Sequence, residues 1–188
     1  MFHGIGSKLA TAVAVLLVLL GTDAAGAAGR ARGTPAPPAG DQTILVMSGV
    51  IGPGSYQAFR RIVARSRPDL VVLQGPGGIL REAIRIGNEI RARGLGTAVG
   101  AHSSCASACA VVFLSGQTKY LGNHAAVGLH MARYADGRRS PVGTEIMAQY
   151  LSRVGVPDRI LARMSRTAPD DIAWLSRADQ KALNIRSF

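Results

Sequence analysis

The chain has 188 residues and a mass of 19.6 kDa, with 47% hydrophobic and 18% charged residues. This size suits one globular domain, and the composition excludes a disordered or collagen-like chain. The net charge of +11 would suit a nucleic acid or an anionic lipid, but 19 of the 22 basic residues are arginines scattered along the chain. No nucleic-acid-binding motif accompanies them, so we expect no nucleic-acid partner.

The N-terminus has the pattern of a secretory signal peptide. Lys8 precedes the apolar run 9–20, and the small residues Ala25-Gly26-Ala27 fit a cleavage site. The run has 12 residues, fewer than the roughly 20 that span a bilayer, so we expect membrane association only if the segment is retained. We predict a signal peptide over 1–27 and a periplasmic or secreted protein, which meets no coenzyme A, ATP or reducing thiol pool.

A flexible linker rich in proline, glycine and alanine is predicted over 28–41, and a single folded domain over 42–188. In chain order, the predicted elements of the domain are a strand at 43–48, a helix at 56–64, a strand at 70–73, a helix at 79–93, a strand at 97–101, a buried helix at 108–114, a strand at 125–131 and helices beyond Gly143. This alternation predicts an α/β fold with a parallel sheet, flanking helices and a helical C-terminal tail.

The first candidate site follows the predicted strand 70–73. Pro76, Gly77 and Gly78 lead from this strand directly into a helix. Glycines there allow backbone amides to face an anionic group at the helix N-terminus, although a plain tight turn fits the same residues. The segment lacks the Lys-Ser/Thr ending of a phosphate-binding loop, which disfavours nucleotide binding.

The second candidate site is the run of small residues from Cys105 to Cys109 before the buried helix. At its centre, Ser107 would gain an exposed hydroxyl, the helix dipole and a following amide able to bind an oxyanion. An ordinary serine N-cap is the competing interpretation.

The two cysteines of this run admit more than one interpretation. In an oxidising compartment a disulfide between Cys105 and Cys109 is plausible, and a spacing of four residues on a helix lies near the upper edge of bridgeable geometry. Plain buried thiols are the alternative. With His102, the two cysteines supply too few ligands for a zinc site, and no metal is expected.

In the order of its elements and motifs, the chain resembles the Clp-type serine proteases of the ClpP/crotonase superfamily, and more closely their exported relatives with a Cys-Ala-Ser-Ala-Cys serine turn. The likeness extends from about Thr43 to Ile185. It implies a ClpP/crotonase-like fold and a serine hydrolase, most simply a peptidase, that acts on a peptide or protein without metal or organic cofactor. The segment between His130 and Asp171 is unlike the family's oligomerising region, so a homo-oligomer stays open.

The resemblance assigns a catalytic role to five residues. Ser107 would be the nucleophile, His130 the base and Asp171 the group that orients the base, with the amides of Gly78 and Ala108 forming the oxyanion hole. The chemistry agrees with this assignment. A serine hydroxyl needs an imidazole to take its proton, and the imidazole needs a partner that fixes its tautomer and stabilises its charged form.

Two choices within this assignment depend on sequence position. His130 ends an apolar strand, whereas His124 lies in a turn and His102 precedes the nucleophile on its own strand, so His130 is the preferred base. Asp170 and Asp171 are adjacent, so either carboxylate could orient the base while the other caps a helix. The position in the family pattern favours Asp171.

Two other functions remain open at this point. An acyl-coenzyme A enzyme would use the same two-amide oxyanion hole without the triad, but an exported protein would not meet that cofactor. A non-catalytic envelope binding protein would keep the fold and lose the chemistry. Covalent labelling by a fluorophosphonate separates a hydrolase from a binding protein, because only an activated serine reacts.

Overall fold

A computed structural model describes residues 15–18 and 42–188. Its elements are β1 (Val15–Val18), β2 (Ile44–Ile51), α1 (Ser55–Ser66), β3 (Leu70–Gly78), α2 (Leu80–Ala92), β4 (Gly96–Val99), β5 (Ser104–Ala106), α3 (Ala108–Leu114), β6 (Lys119–Leu121), β7 (Ala126–Leu129), α4 (Pro141–Arg153), α5 (Asp158–Arg166), β8 (Ala173–Trp174), α6 (Arg177–Ala182) and β9 (Ile185–Ser187). The predicted linker, the predicted cleavage site and all of the predicted signal peptide except β1 lie outside the described residues. Within those residues, no helix is both long and apolar enough to cross a membrane.

The sheet divides at β3, which serves two groups of strands. The first half of β3 pairs in parallel with β4, which leads on to β6 and β9. Further along, Gly75 pairs with Cys105 of β5, and β5 pairs in parallel with β7. On the other side of β3, β2 runs in parallel with it and pairs with β1 in the antiparallel direction. The α/β class and the mostly parallel sheet agree with the predicted fold.

Strand β3 is longer than the sequence pattern predicts. The predicted strand ends at 73, whereas β3 continues to Gly78 because the end of β2 pairs with Gly77 and Gly78. At Gly75 a Cβ would collide with the backbone of Gly49 in β2, so a glycine is needed for this close approach. The segment predicted as a loop is thus an extended strand that leads almost directly into α2.

The remaining differences are shifted ends and short strands: β2 continues to Ile51, past its predicted end at 48, and β4 and β7 each end two residues before their predicted ends. In the C-terminal tail, β8 adds to β7 in the antiparallel direction and β9 adds to β6 in parallel. Together with β5 and β6, these strands have only two or three residues each. Such runs are too short for a period-2 pattern to reveal, and only pairing with neighbouring strands defines them.

Helix α3 is enclosed by the core. All seven of its residues are at most 3% exposed, as expected for a helix that is apolar on every face. Polar side chains secure its C-terminal half: the Thr97 hydroxyl donates to the Phe113 carbonyl at 2.7 Å, and the Ser115 hydroxyl donates to the Val111 carbonyl at 2.8 Å. Because α3 is fixed in this way, the residue that precedes it is fixed too.

The carboxylate of Asp179 in α6 is fully buried and joins α5 to the C-terminal segment. It accepts hydrogen bonds from Arg159 and Arg163, each at 2.7 Å, and from the backbone N–H and the hydroxyl of Ser176 at 2.9 and 2.8 Å. Burial alone would raise the pKa of Asp179. The hydrogen bonds from Arg163 and Ser176 outweigh burial and hold the pKa below its ordinary value.

Replacing Asp179 by Asn is expected to lower the free energy of unfolding by about 2 kcal/mol near pH 7, because the hydrogen bonds from Arg159 and Arg163 lose the negative charge of their acceptor. Since folding lowers the pKa of this carboxyl, its stabilising contribution is complete above the unfolded-state pKa of about 4 and is lost as the pH falls below it. In urea unfolding, the difference in the free energy of unfolding between wild type and variant should therefore become smaller from pH 5 towards pH 2. A difference that is independent of pH would contradict this account.

Candidate functional site

Ser107 lies on a strained turn between β5 and α3. Its φ of 57° and ψ of −126° fall outside the regions that non-glycine residues favour, at a cost of about 1–3 kcal/mol. The Ser107 N–H donates to the Gly128 carbonyl of β7 at 2.9 Å, and the Ser107 carbonyl accepts from the Val111 N–H at 3.2 Å. A strand and a buried helix therefore hold this backbone, and a sharp strand-to-helix turn of this kind can present a nucleophilic serine.

The hydroxyl of Ser107 does not act as an ordinary helix cap. Ser107 occupies the N-cap position of α3, yet its side chain accepts no capping hydrogen bond. By contrast, Ser140 and Ser176 at the N-caps of α4 and α6 each accept one from a backbone N–H. Among the described residues, the Ser107 hydroxyl is thus left for another partner.

Gly77 packs directly against the serine turn. A Cβ on Gly77 would lie 2.6 Å from the backbone nitrogen of Ala108, 2.7 Å from the carbonyl oxygen of Ala106 and 2.8 Å from the Cβ of Ser107. Ala108 is the first residue of α3, so its N–H has no acceptor within the helix. The close approach of β3 therefore brings Gly78, the other predicted oxyanion donor, to the same cavity as Ala108.

A cavity of about 590 Å³ contains four of the five predicted site residues: Gly78, Ser107, Ala108 and His130 all line it. The remaining walls come from the start of α2, from the segment after His130 and from Met147 of α4. Volumes of this order are typical of ligand sites.

The imidazole of His130 is bound to a backbone carbonyl. His130 follows β7 and is 8% exposed. Its Nδ1 lies 2.7 Å from the Met131 carbonyl oxygen, and donation from Nδ1–H to this oxygen leaves Nε2 as the basic nitrogen. Within the described residues His130 makes no hydrogen bond to Ser107 or to Asp171. The nucleophile and the base therefore share a cavity but are not in hydrogen-bond contact.

The structure does not bring the carboxylate of Asp171 to the imidazole of His130. Strand β8 runs antiparallel to β7, and continuing this register beyond Ala173 would set Asp171 opposite Met131. The Asp171 side chain is exposed, and its Oδ1 accepts from the N–H of Ile172 at 2.7 Å. Neither this register nor the side-chain contact places the Asp171 carboxylate at His130, so this assignment stays a prediction.

The competing residues lie away from the cavity. His102 and His124 stack on each other in exposed positions, with ring centroids 5.1 Å apart. Asp170 is exposed and does not line the cavity. In the part of the chain that the structure describes, no group of three or more His, Cys, Asp or Glu side chains is placed to hold a metal ion.

Cys105 and Cys109 form a disulfide across the serine turn. The spacing of four residues predicts that both cysteines lie on one helix. In the structure, Cys105 belongs to β5 and Cys109 to the first turn of α3, and their Cα atoms are 5.2 Å apart. Both residues are at most 3% exposed. The bond therefore links the strand and the helix between which Ser107 lies.

Replacing both cysteines by alanine is expected to lower the free energy of unfolding by about 2 kcal/mol, the loop-entropy contribution expected for such a short loop. Urea unfolding under non-reducing conditions measures this loss. Thiol titration supplies the chemical check: the unreduced, denatured wild-type protein should show no free thiol, and reduction should release two, the full cysteine content. Two free thiols before reduction would contradict the disulfide.

Residues 132–139, for which the sequence pattern predicts no role, form a hairpin that lines the cavity. Arg133 pairs with Arg139 across the hairpin, and the Tyr134 N–H donates to the Arg138 carbonyl at 2.9 Å. The dipeptide 136–137 is Asp-Gly, a typical signal for a tight hairpin. Its position shortly after His130 could have pointed to this wall of the site.

The fold can be compared with solved structures. A mutant of the 1510-N membrane-bound stomatin-specific protease has a TM-score of 0.56 at 17% identity, over 76% of this chain and 76% of its own. ClpP1 from Listeria monocytogenes has a TM-score of 0.56 at 14% identity, over 77% and 91%, and the ClpP catalytic domain from Plasmodium falciparum has 0.55 at 13%, over 75% and 80%. No protein-family profile and no curated protein sequence matches the chain. On these likenesses, the chain has the ClpP-like α/β fold.

Proposed function

We propose that the protein is an exported serine peptidase with Ser107 as its nucleophile. The observation that carries the proposal is the cavity shared by Gly78, Ser107, Ala108 and His130, which brings a serine on a strained turn together with a histidine and two candidate oxyanion donors. The fold adds support, since the similar solved structures are proteases. An ester could replace the peptide, because both present a carbonyl to the nucleophile.

The proposed reaction uses four groups of the chain: a hydroxyl, an imidazole and two backbone amides. The Ser107 Oγ attacks the carbonyl carbon of the scissile bond while Nε2 of His130 takes the hydroxyl proton. The oxyanion accepts hydrogen bonds from the amides of Gly78 and Ala108. When the tetrahedral intermediate collapses, His130 gives the proton to the leaving amine, and a water molecule then releases the acyl group from Ser107 by the same sequence.

One change of contact is needed before this reaction can begin, and a second would complete a Ser–His–Asp triad. The His130 ring has to reach the Ser107 hydroxyl, and the proposed orienting carboxylate of Asp171 has to exchange the Ile172 N–H for His130. Without that exchange, the Met131 carbonyl keeps the imidazole tautomer, and the site works as a Ser–His dyad.

The decisive experiment is the intact mass of the folded protein after treatment with a fluorophosphonate. One adduct, located on Ser107 by peptide mapping, is expected between about pH 6 and 9, where an imidazole base is neutral for at least part of the range. No adduct on the folded protein over this range would refute the proposal. It would favour the second candidate, a non-catalytic binding protein, which the missing Ser107–His130 hydrogen bond in the described residues also suits.

Export is a separate part of the proposal. The buried disulfide supports it, since such bonds persist in oxidising compartments. The mature N-terminus is expected near Ala28, and cleavage there would remove β1 from the edge of β2. N-terminal sequencing of the envelope and medium fractions tests this. A sequence that begins at Met1 would instead indicate a retained segment.

A further inference from the structure

We infer that the cavity beside Ser107 selects substrates that carry a carboxylate close to the scissile bond. Arg81 and Arg133 would bind this carboxylate. The inference depends on the proposed function, because this is the cavity of the proposed peptidase site. It adds to that function a substrate class, peptides with an acidic group next to the bond that is cleaved.

The two arginines give the cavity an uncompensated positive charge. Arg81 lies in the first turn of α2 and Arg133 at the start of the hairpin, both are exposed, and both line the cavity. Neither forms an ion pair or a side-chain hydrogen bond with another described residue, and no Asp or Glu lines the cavity. A cleft lined by one sign of charge concentrates ligands of the opposite sign.

The acidic residues that are nearest in sequence to these arginines have other partners. Glu82 follows Arg81 but is buried. Its Oε2 accepts a hydrogen bond from the Tyr56 N–H at 2.9 Å, and its Oε1 lies 3.6 Å from Nη1 of Arg85. It thereby caps α1, whose N-cap Gly54 has no side chain to do so.

The acidic residue of the hairpin is occupied in the same way. Asp136 accepts from the Nε of Arg138 at 2.8 Å, and this contact lowers the pKa of Asp136 below its ordinary value. Neither carboxylate is therefore available to Arg81 or Arg133, and an acidic group from the substrate would be their partner.

The chemistry of the walls defines the ligand further. Each guanidinium offers a fork of N–H donors that matches a carboxylate. Ile79, Leu80 and Met147 add apolar lining to the same cavity, which suits the aliphatic part of a side chain such as that of glutamate. A C-terminal carboxylate presents the same group, so the ligand is defined as a carboxylate and the test separates its two sources.

The first test compares two peptidyl diphenyl phosphonates that differ only in Glu or Gln beside the phosphonate residue. In each probe the Ser107 oxygen bonds to phosphorus and a phenoxide leaves, so the rate of adduct formation reports binding next to the nucleophile without need of turnover. The Glu probe should react on the order of fivefold faster with the wild-type protein, as two exposed ion pairs provide. The advantage should shrink at 1 M salt, which screens exposed charges.

Variants assign the effect to the cavity. In the Arg81→Gln, Arg133→Gln double variant the two probes should react at equal rates, while Arg81→Lys, Arg133→Lys should keep part of the preference. Arg60→Gln removes one exposed charge from α1, outside the cavity, and should change nothing. All three variants alter exposed side chains, so each should fold as the wild type does.

The source of the carboxylate is tested by competition. Short peptides with a free or an amidated C-terminus, and with Glu or Gln within two residues of it, are compared for slowing fluorophosphonate labelling. Protection that follows Glu assigns a side-chain carboxylate, and protection that follows the free terminus assigns the C-terminal one. Either result supports the inference.

Three results would overturn the inference. On a protein that the fluorophosphonate does label, equal rates with the Glu and Gln probes together with no protection by either kind of carboxylate would refute the carboxylate preference and leave the proposed peptidase intact. A preference that survives in the double Gln variant would refute the assignment to Arg81 and Arg133. A folded protein that no phosphonate or fluorophosphonate labels would refute the proposed function, and this inference with it.

Discussion

Ser107→Ala is expected to abolish fluorophosphonate labelling, and His130→Ala to slow it by about 100-fold or more. The first variant removes the oxygen that bonds to phosphorus, and the second removes the group that takes its proton, a contribution of about 10²–10⁴-fold in general base catalysis. The rate of adduct formation, followed by intact mass at fixed probe concentration, measures both. A Ser107→Ala variant that is still labelled at the wild-type rate would place the nucleophile elsewhere in the chain.

The same assay examines the carboxylate. Asp171→Asn should slow labelling more than Asp170→Asn, because the proposed mechanism assigns the orienting role to Asp171 and none to Asp170. Equal rates for both variants and the wild type would assign the orienting role to the Met131 carbonyl, which already holds Nδ1. Circular dichroism should be unchanged in all these variants. Only His130→Ala removes a buried side chain, and that side chain is polar.

Long elements with a clear period are predicted correctly from the sequence. Helix α2 alternates apolar and charged residues at helical spacing, and α3 is apolar throughout. The predicted bounds of both helices therefore lie within one residue of the observed bounds. The short strands β5, β6, β8 and β9 depend on partners that are far away in the chain. Sequence periodicity does not report such pairing, because two or three residues contain no period.

The features of the site likewise include some that the sequence predicts and some that it does not. The serine turn and the glycines of β3 are local features, so their residues can be named from the sequence. The Met131 carbonyl at Nδ1 of His130 and the Asp171 contact to Ile172 join residues adjacent in sequence, and they depend on side-chain rotamers that a residue pattern does not report. The hairpin wall that contains Arg133 is intermediate, since its Asp-Gly turn is visible in the sequence but its position over the cavity is not.

Gly77→Ala is expected to lower the free energy of unfolding by about 2–5 kcal/mol and to slow fluorophosphonate labelling of the fraction that still folds. The φ of Gly77 is 99°, where an added Cβ costs about 1–2 kcal/mol. The same Cβ would also press on the backbone on both sides of Ser107, at 2.6 Å from the Ala108 nitrogen and 2.7 Å from the Ala106 carbonyl. Backbone cannot rotate away as a side chain can, so overpacking adds a further ~1–3 kcal/mol.

Gly155→Ala is the matched control for this variant. Gly155 has a φ of 88°, but a Cβ there would meet nothing within 4 Å. It carries the conformational cost without the collision, so a loss of about 1 kcal/mol and a wild-type labelling rate are expected. Urea unfolding gives the stability of both variants, and labelling of the folded monomer fraction isolated by size exclusion gives their reactivity. If Gly77→Ala lost no more stability than Gly155→Ala and were labelled at the wild-type rate, the contact between β3 and the serine turn would not hold Ser107 in place. A larger loss of stability in Gly77→Ala than in Gly155→Ala, together with slower labelling, would instead show that the geometry of the nucleophile depends on a position where only a hydrogen fits.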